Sequence, residues 1–240
     1  RHLAQELKVD PYSDNAVLQE EMKRVANIAG SVGKLTKMAL PIPSVISTAA
    51  SVSKMVWNLS PTDLLIQNQE TLKKLGYKNE LIGTFFANKM YSPTMQTAIV
   101  TALSSLKDAK NTAVWLDIAD DAQTTIESRF LVRTIVLAQQ YHEKVASISK
   151  FISTPHTRIP VALTSEENGL IVAAVDLLSW TEGADQILEK FGTAIRQHHA
   201  KGKMLIWVEG KTSDMASTQL KSRGWEALTI PMSQLETEKE

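Results

Sequence analysis

The chain has no cysteine among its 240 residues. A disulfide framework, a thiolate metal site and a thiol nucleophile are therefore excluded. Aromatic residues make up only 6% of the chain and form no stripe on which bases could stack. Charge of one sign is not in excess: 26 Lys and Arg balance 26 Asp and Glu, which disfavours a uniformly basic nucleic-acid binder. A membrane-spanning run is missing too. The uncharged run Met38–Ser53 has 16 residues, rich in Ser and Thr, against the ~20 apolar residues a span needs. His-Glu-x-x-His, Gly-x-Ser-x-Gly and Gly-x-Gly-x-x-Gly do not occur.

What is present is a globular composition, 43% hydrophobic and 22% charged. A chain of this length buries about 70–75% of its unfolded surface without covalent staples. Absence of cysteine fits an exported bacterial protein, so we expect a periplasmic or secreted location, with the cytoplasm as the alternative. The chain opens on Arg1 rather than Met, and an upstream segment is expected to have been removed.

Glycine divides the sequence. Residues 1–150 hold Gly30, Gly33, Gly76 and Gly83, whereas the last 90 residues hold six. In the first part, apolar residues recur at three- and four-residue steps through Val25, Ile28, Val32 and Leu35, the period of an amphipathic helix. Pro41-Ile42-Pro43 ends that helix, and a second is expected over Ser44–Trp57. Ser60-Pro61-Thr62 and Ser92-Pro93-Thr94 each read as a helix start, with serine as the cap and proline at the first helical position. A long helical pattern occupies 112–152, broken near Gln123-Thr124-Thr125. It is apolar around most of its circumference, so it belongs at the centre of a bundle.

Beyond Ser153 the pattern changes. Arg158–Thr164 and Leu170–Leu177 read as strands joined at Asn168-Gly169, residue types that accept the positive φ of a tight hairpin turn. Helices over Ala184–His199 and Thr212–Arg223 alternate with strands at Met204–Val208 and Glu226–Ile230. The expected fold is α+β and mainly helical: a helical domain (1–152), a small α/β domain (153–235) of order β-β-α-β-α-β with a mixed sheet of about four strands, and a tail (236–240).

Three features are candidates for function. The first is Met22–Thr62: 41 residues with five positive charges (Lys23, Arg24, Lys34, Lys37 and Lys54) and no Asp or Glu. A basic helical hairpin of this kind fits an anionic membrane surface or an acidic protein partner. The second is Glu209-Gly210-Lys211, which with Asp176 could form a carboxylate pair and lysine of a metal-dependent hydrolase or nuclease. Against it, a whole helix separates Asp176 from Glu209 in sequence. The third is Gly210-Lys211-Thr212 between a strand and a helix, where a phosphate loop would lie. The earlier glycine of such a loop is replaced by Leu205, so Gly210 is read as a tight turn.

Histidines offer little: His198 and His199 diverge by about 100° on a helix, and His142 has no ligand at metal spacing. Asp117, Asp120 and Asp121 read as a solvated face. Trp115, Trp180 and Trp207 read as core and Trp225 as partly exposed. The reading we favour is a non-enzymatic interaction or membrane-surface protein acting through 22–62, with no cofactor and no metal. The hydrolase built on Asp176, Glu209 and Lys211 is the alternative.

Overall fold

The computed structural model describes residues 4–5, 9–13, 15–29, 50–154, 157–198 and 200–229. Among the described residues the helices α1 (Ala16–Ala29), α2 (Ala50–Asn58), α3 (Pro61–Lys74), α4 (Asn79–Ala87), α5 (Pro93–Ser105), α6 (Val114–Asp120) and α7 (Thr125–Lys144) come first. Then follow β1 (Ile148–Ile152), β2 (Val161–Thr164), β3 (Gly169–Ala173), β4 (Leu177–Leu178), α8 (Glu182–Gln197), β5 (Met204–Val208), β6 (Lys211–Thr212), α9 (Asp214–Ser222) and β7 (Trp225–Thr229). The protein is α+β and mainly helical, as its sequence indicates.

Local chemistry sets the helix starts. Ser60 accepts the Asp63 N–H while its own N–H donates to the Asp63 carboxylate, a capping box with Pro61 at the first position. Ser92 accepts from Met95 N–H (3.3 Å). Thr124 and Glu127 form a second capping box at the start of α7, so the expected break near Gln123–Thr125 is the junction of α6 and α7. A cap of this type is worth about 1 kcal/mol.

The main sheet has the order β1-β2-β3-β5-β7. The β1–β2 and β2–β3 pairs are antiparallel, whereas β3–β5 and β5–β7 are parallel. Two crossovers, β3-α8-β5 and β5-α9-β7, advance in one direction across the sheet. Leu188, Phe191 and Ile195 of α8 and Leu220 of α9 pack in one buried cluster with Ile171, Ile206 and Val208. Both helices therefore cover the same face, and both crossovers have the same hand, as right-handed connections require.

The other face is covered by the helical bundle. Leu170, Val172, Leu205 and Trp207 belong to a single buried cluster with Leu103, Trp115, Ile135 and Tyr141. Tyr141 of α7 meets Trp207 edge-on (5.0 Å between centroids), and Trp115 of α6 meets Phe151 of β1 likewise (5.4 Å). Such pairs add about 0.5–1.5 kcal/mol each beyond their buried area.

Three local expectations need correction. The long helix ends at Lys144, not near residue 152. The chain leaves it through Val145, and the His142 ring nitrogen Nδ1 accepts the Ile148 N–H (2.9 Å) where β1 begins. Ile148–Ile152 is thus a strand of the sheet. The hairpin at Asn168-Gly169 exists, but its positive φ belongs to Glu167 (61°) within the turn Ser165–Asn168. Gly169 lies in β3, where an added Cβ would overlap the buried Ile195 side chain. Trp225 is buried (6% exposed) rather than partly exposed, because α9 folds back over β7.

Glu127 links the start of α7 to the segment entering β2. It accepts from Gln123 N–H (2.8 Å) and Thr124 N–H (3.2 Å) and pairs with Arg158 (2.9 Å). The Gln123 N–H, then the Arg158 charge and the Thr124 N–H, hold its carboxyl below the ordinary 4.5 despite partial burial. A lowered folded pKa stabilises the fold above the unfolded pKa and is lost as pH falls through the folded value. Urea unfolding should therefore show wild type more stable than Glu127→Gln at neutral pH, with the gap closing in strongly acid solution. A gap that stays constant between the two would show that the Glu127 charge contributes nothing.

Candidate functional site

The carboxyl ends of β3 and β5 bring together the residues of the hydrolase alternative. These strands are parallel neighbours in register, Ala173 beside Val208, so the segments that follow emerge side by side. Those segments run on together. Glu209 N–H donates to Ala173 C=O (3.2 Å), Gly210 N–H to Val175 C=O (3.0 Å) and Lys211 N–H to Asp176 C=O (2.9 Å). The short β4–β6 pair continues the contact, and Ser213 N–H closes it on Leu178 C=O (3.0 Å).

Gly210 is required here by space. A Cβ at this position would overlap the Asp176 backbone carbonyl. It also ends the phosphate-loop reading in physical terms: the two segments lie backbone to backbone where a loop would have to open around an anion. The cap of α9 is Ser213, which accepts from Ala216 N–H (3.2 Å).

Asp176 and Glu209 point to a common cation, and that cation belongs to the chain. Arg133 on α7 donates from one guanidinium nitrogen to Asp176 Oδ1 (3.0 Å) and Glu209 Oε2 (2.8 Å). The two oxygens are thus no farther apart than two hydrogen bonds laid end to end. Burial opposes the charge on Arg133, but hydrogen bonding to Asp176 and the field of Glu209 outweigh it, and its pKa is raised. The environments are unequal: Glu209 is 17% exposed and Arg133 30%, whereas Asp176 is 89% exposed. Glu209–Arg133 is the partly buried bond, and Asp176 adds a solvent-screened contact of little energetic weight.

Lys211 enters this arrangement through its backbone; its side chain is exposed. Among the described residues, no group of three or more His, Asp and Glu is placed to hold a metal ion. Asp117, Asp120 and Asp121 are exposed on and beside α6, whose last carbonyls, Ala119 and Asp120, accept from the Asn88 side-chain amide together with Ala122. His198 ends α8, with its ring 3.4 Å from Lys150 Nζ. His199 lies outside the described residues.

The basic segment is described at its two flanks. Lys23 and Arg24 on α1 and Lys54 on α2 are exposed, and Arg24 pairs with Glu21 (2.7 Å). Lys34 and Lys37 lie outside the described residues. α2 is packed into the bundle, whereas α1 belongs to a small separate cluster and only the segment before it is hydrogen-bonded to the bundle. Leu18 of α1 packs with Ala4, Val9 and Met22, and Val52 and Val56 of α2 enter the main core. The Trp57 indole N–H donates to Val9 C=O (3.1 Å), Tyr12 O–H to Leu59 C=O (2.9 Å) and Thr94 O–H to Asp10 Oδ1 (2.6 Å).

A groove of about 600 Å³ lies between the α3–α4 corner and the start of α6, lined by Leu75, Tyr77, Lys78, Leu81, Thr112 and Asp117 among others. Its central hydroxyl is committed: Tyr77 O–H donates to Thr112 Oγ1 (2.7 Å). Burial raises the Tyr77 pKa and that hydrogen bond partly offsets the rise. The groove carries charges of both signs and ties two corners of the bundle together.

Arg133 is the residue that sequence reasoning missed. Its signal was present: within Phe130–Ala138 it is the single charge in an otherwise apolar run broken only by Thr134. A charge on the buried side of a central helix needs a partner, and the two nearest carboxylates are those at the ends of β3 and β5.

Compared with models of known protein families, with curated proteins and with solved structures, the chain matches none of them.

Two measurements bear on this site. Gly210→Ala should destabilise the protein by about 1–3 kcal/mol, the range for forced overlap in a packed site, read as a fall in the urea midpoint; an unchanged midpoint would mean that the two segments separate freely. Arg133→Met leaves Glu209 without its partner and should cost about 1–3 kcal/mol, while Mg²⁺ or Mn²⁺ leaves the wild-type Tm unmoved. A Tm that climbs with either metal in the wild type would favour the hydrolase alternative.

Proposed function

We propose that the protein is a non-enzymatic surface-attachment protein that binds an anionic membrane surface through the basic segment 22–62. The observation that carries this reading is one of charge and anchorage. Met22–Thr62 has five positive charges and no negative one; Lys54 is exposed on α2, which packs into the main core, and Lys23 and Arg24 are exposed on α1, which follows a segment hydrogen-bonded to the bundle. Fixed cations that face an anionic surface need less ordering on binding than cations on a loose tail. Each Lys or Arg held near an anionic leaflet contributes about 1 kcal/mol. The five charges of the segment, less the share Arg24 already gives to Glu21, suffice for reversible, salt-sensitive attachment.

The arrangement at the strand ends supports a non-catalytic reading. In open α/β sheets ligands settle in the crevice beyond the carboxyl ends of the parallel strands. Here that crevice is closed by β4–β6, and its two carboxylates face Arg133. We place the site of action outside the bacterial cytoplasm, where a chain without cysteine has no thiol to be oxidised.

Vesicle flotation tests the proposal. Wild-type protein should float with phosphatidylglycerol/phosphatidylcholine vesicles at low ionic strength. It should leave them near 1 M salt, where the Debye length falls to about 3 Å, and ignore pure phosphatidylcholine vesicles. The variant carrying Gln at positions 23, 24, 34, 37 and 54 should remain in solution throughout. Wild-type protein that stays in solution at low salt, or a variant that floats as well as the wild type, would falsify the proposal.

A further inference from the structure

The chain has one Asn-Gly pair, Asn168-Gly169, at the mouth of β3. Glycine has no side chain to shield its backbone nitrogen, so that nitrogen can reach the side-chain amide carbon of the asparagine before it. In an open chain the chemistry follows from this proximity. Gly169 N gives its proton to hydroxide and bonds to Asn168 Cγ; the Cγ–Nδ2 bond breaks, and Nδ2 takes up a proton and leaves as ammonia. Water then opens the cyclic imide at either carbonyl and leaves aspartate or isoaspartate. Nothing is oxidised or reduced.

The fold ties the reacting atoms elsewhere. Glu167 sits at φ 61°, and its carbonyl accepts from Gly202 N–H (3.1 Å). The next residue, Lys203, is met by the Asn168 side chain instead of a backbone carbonyl: Lys203 N–H donates to Asn168 Oδ1 (2.8 Å), while Gly169 N–H donates to Lys203 C=O (2.9 Å). The attacking nitrogen and the amide it would attack are thus bound to the two ends of one residue. Asn168 Nδ2 also donates to Glu166 Oε2 (3.1 Å), and the Asn168 N–H to Thr164 Oγ1 (3.2 Å).

We propose that Asn168 is a modification site gated by this joint. It stays an amide while the β2–β3 turn is held to residues 200–203, and it deamidates when the two separate. The change is one-way. Either product sets a carboxylate beside Glu166 where an amide had donated, and like charges at that range repel. Isoaspartate also adds a backbone carbon ahead of Gly169, which has no spare room against the buried Ile195. A chain that has opened once keeps a permanent mark and a weakened joint.

Gly202 supplies the test, because a Cβ there would overlap Asn168 Oδ1. Gly202→Ala pushes the amide out of its bond with Lys203 and leaves Asn168 and Gly169 themselves unaltered. The full chain is held in mildly alkaline buffer, with and without denaturing guanidinium chloride, and conversion at Asn168 is followed by peptide mass spectrometry. A gated site converts at the open-state rate multiplied by the fraction open. Asn168 should therefore convert at least about tenfold more slowly in native wild type than in denaturant. Native Gly202→Ala, its fold checked by cooperative urea unfolding, should convert at least about threefold faster than native wild type. Should that variant fail to fold, Glu166→Ala, which frees Nδ2 alone, takes its place with the same expectation. Equal rates in native and unfolded wild type, or a folded variant that converts no faster than wild type, would overturn the proposal.

Discussion

Parallel strands have to be covered on both faces, and that constraint organises this molecule. The two crossovers put α8 and α9 on one side of β3, β5 and β7, and their common hand gives them no way to reach the other. The opposite face carries Leu170, Val172, Leu205 and Trp207, side chains that water would otherwise wet. Only the N-terminal helices can bury them. Bundle and sheet are therefore joined by one core rather than by a linker. Tyr141 against Trp207 and Trp115 against Phe151 mark two places where that core crosses from helix to strand.

Arg133 follows from the same constraint. α7 packs on the face of the sheet through Tyr141 and places Arg133 beside the segments that leave β3 and β5. Glu209 is 17% exposed there, and a carboxylate so far withdrawn from water needs a hydrogen-bond partner. The guanidinium satisfies it, and the two N–H groups of the same terminal nitrogen let it reach Asp176 as well. The bond holds the bundle to the zipped segments that close the end of the sheet. Gly210 serves the same closure from within, by letting two backbones meet without a side chain between them.

Much of this was legible in the sequence, and the failures have physical causes. The capping residues Ser60, Ser92 and Thr124 act locally, so their roles can be read without knowing the fold. The alternation of strand and helix beyond Gly169 is also local. β1 was not legible, because Ile148–Ile152 follows the end of α7 after three residues without Gly or Pro and becomes a strand only through pairing with β2 and with Lys110. At Asn168-Gly169 the residue types suited a tight turn, yet the structure uses Gly169 for the close approach of Ile195 and puts the strained backbone at Glu167. The distance between Asp176 and Glu209 was misjudged for a general reason. A crossover helix separates two parallel strands in sequence while making them neighbours in space.

The closure of the sheet also directs attention to where partners can act. Both sheet faces are buried, the crevice at the strand ends is zipped by backbone hydrogen bonds, and β1 is covered by Lys110. Each of these closures is made by parts of the chain distant in sequence, so none can open without disturbing the shared core. Binding that costs little reorganisation must use groups already facing solvent. The exposed cations of α1 and α2 meet that condition. A surface reached through them would be held by charge over about a Debye length, and that hold would weaken with salt.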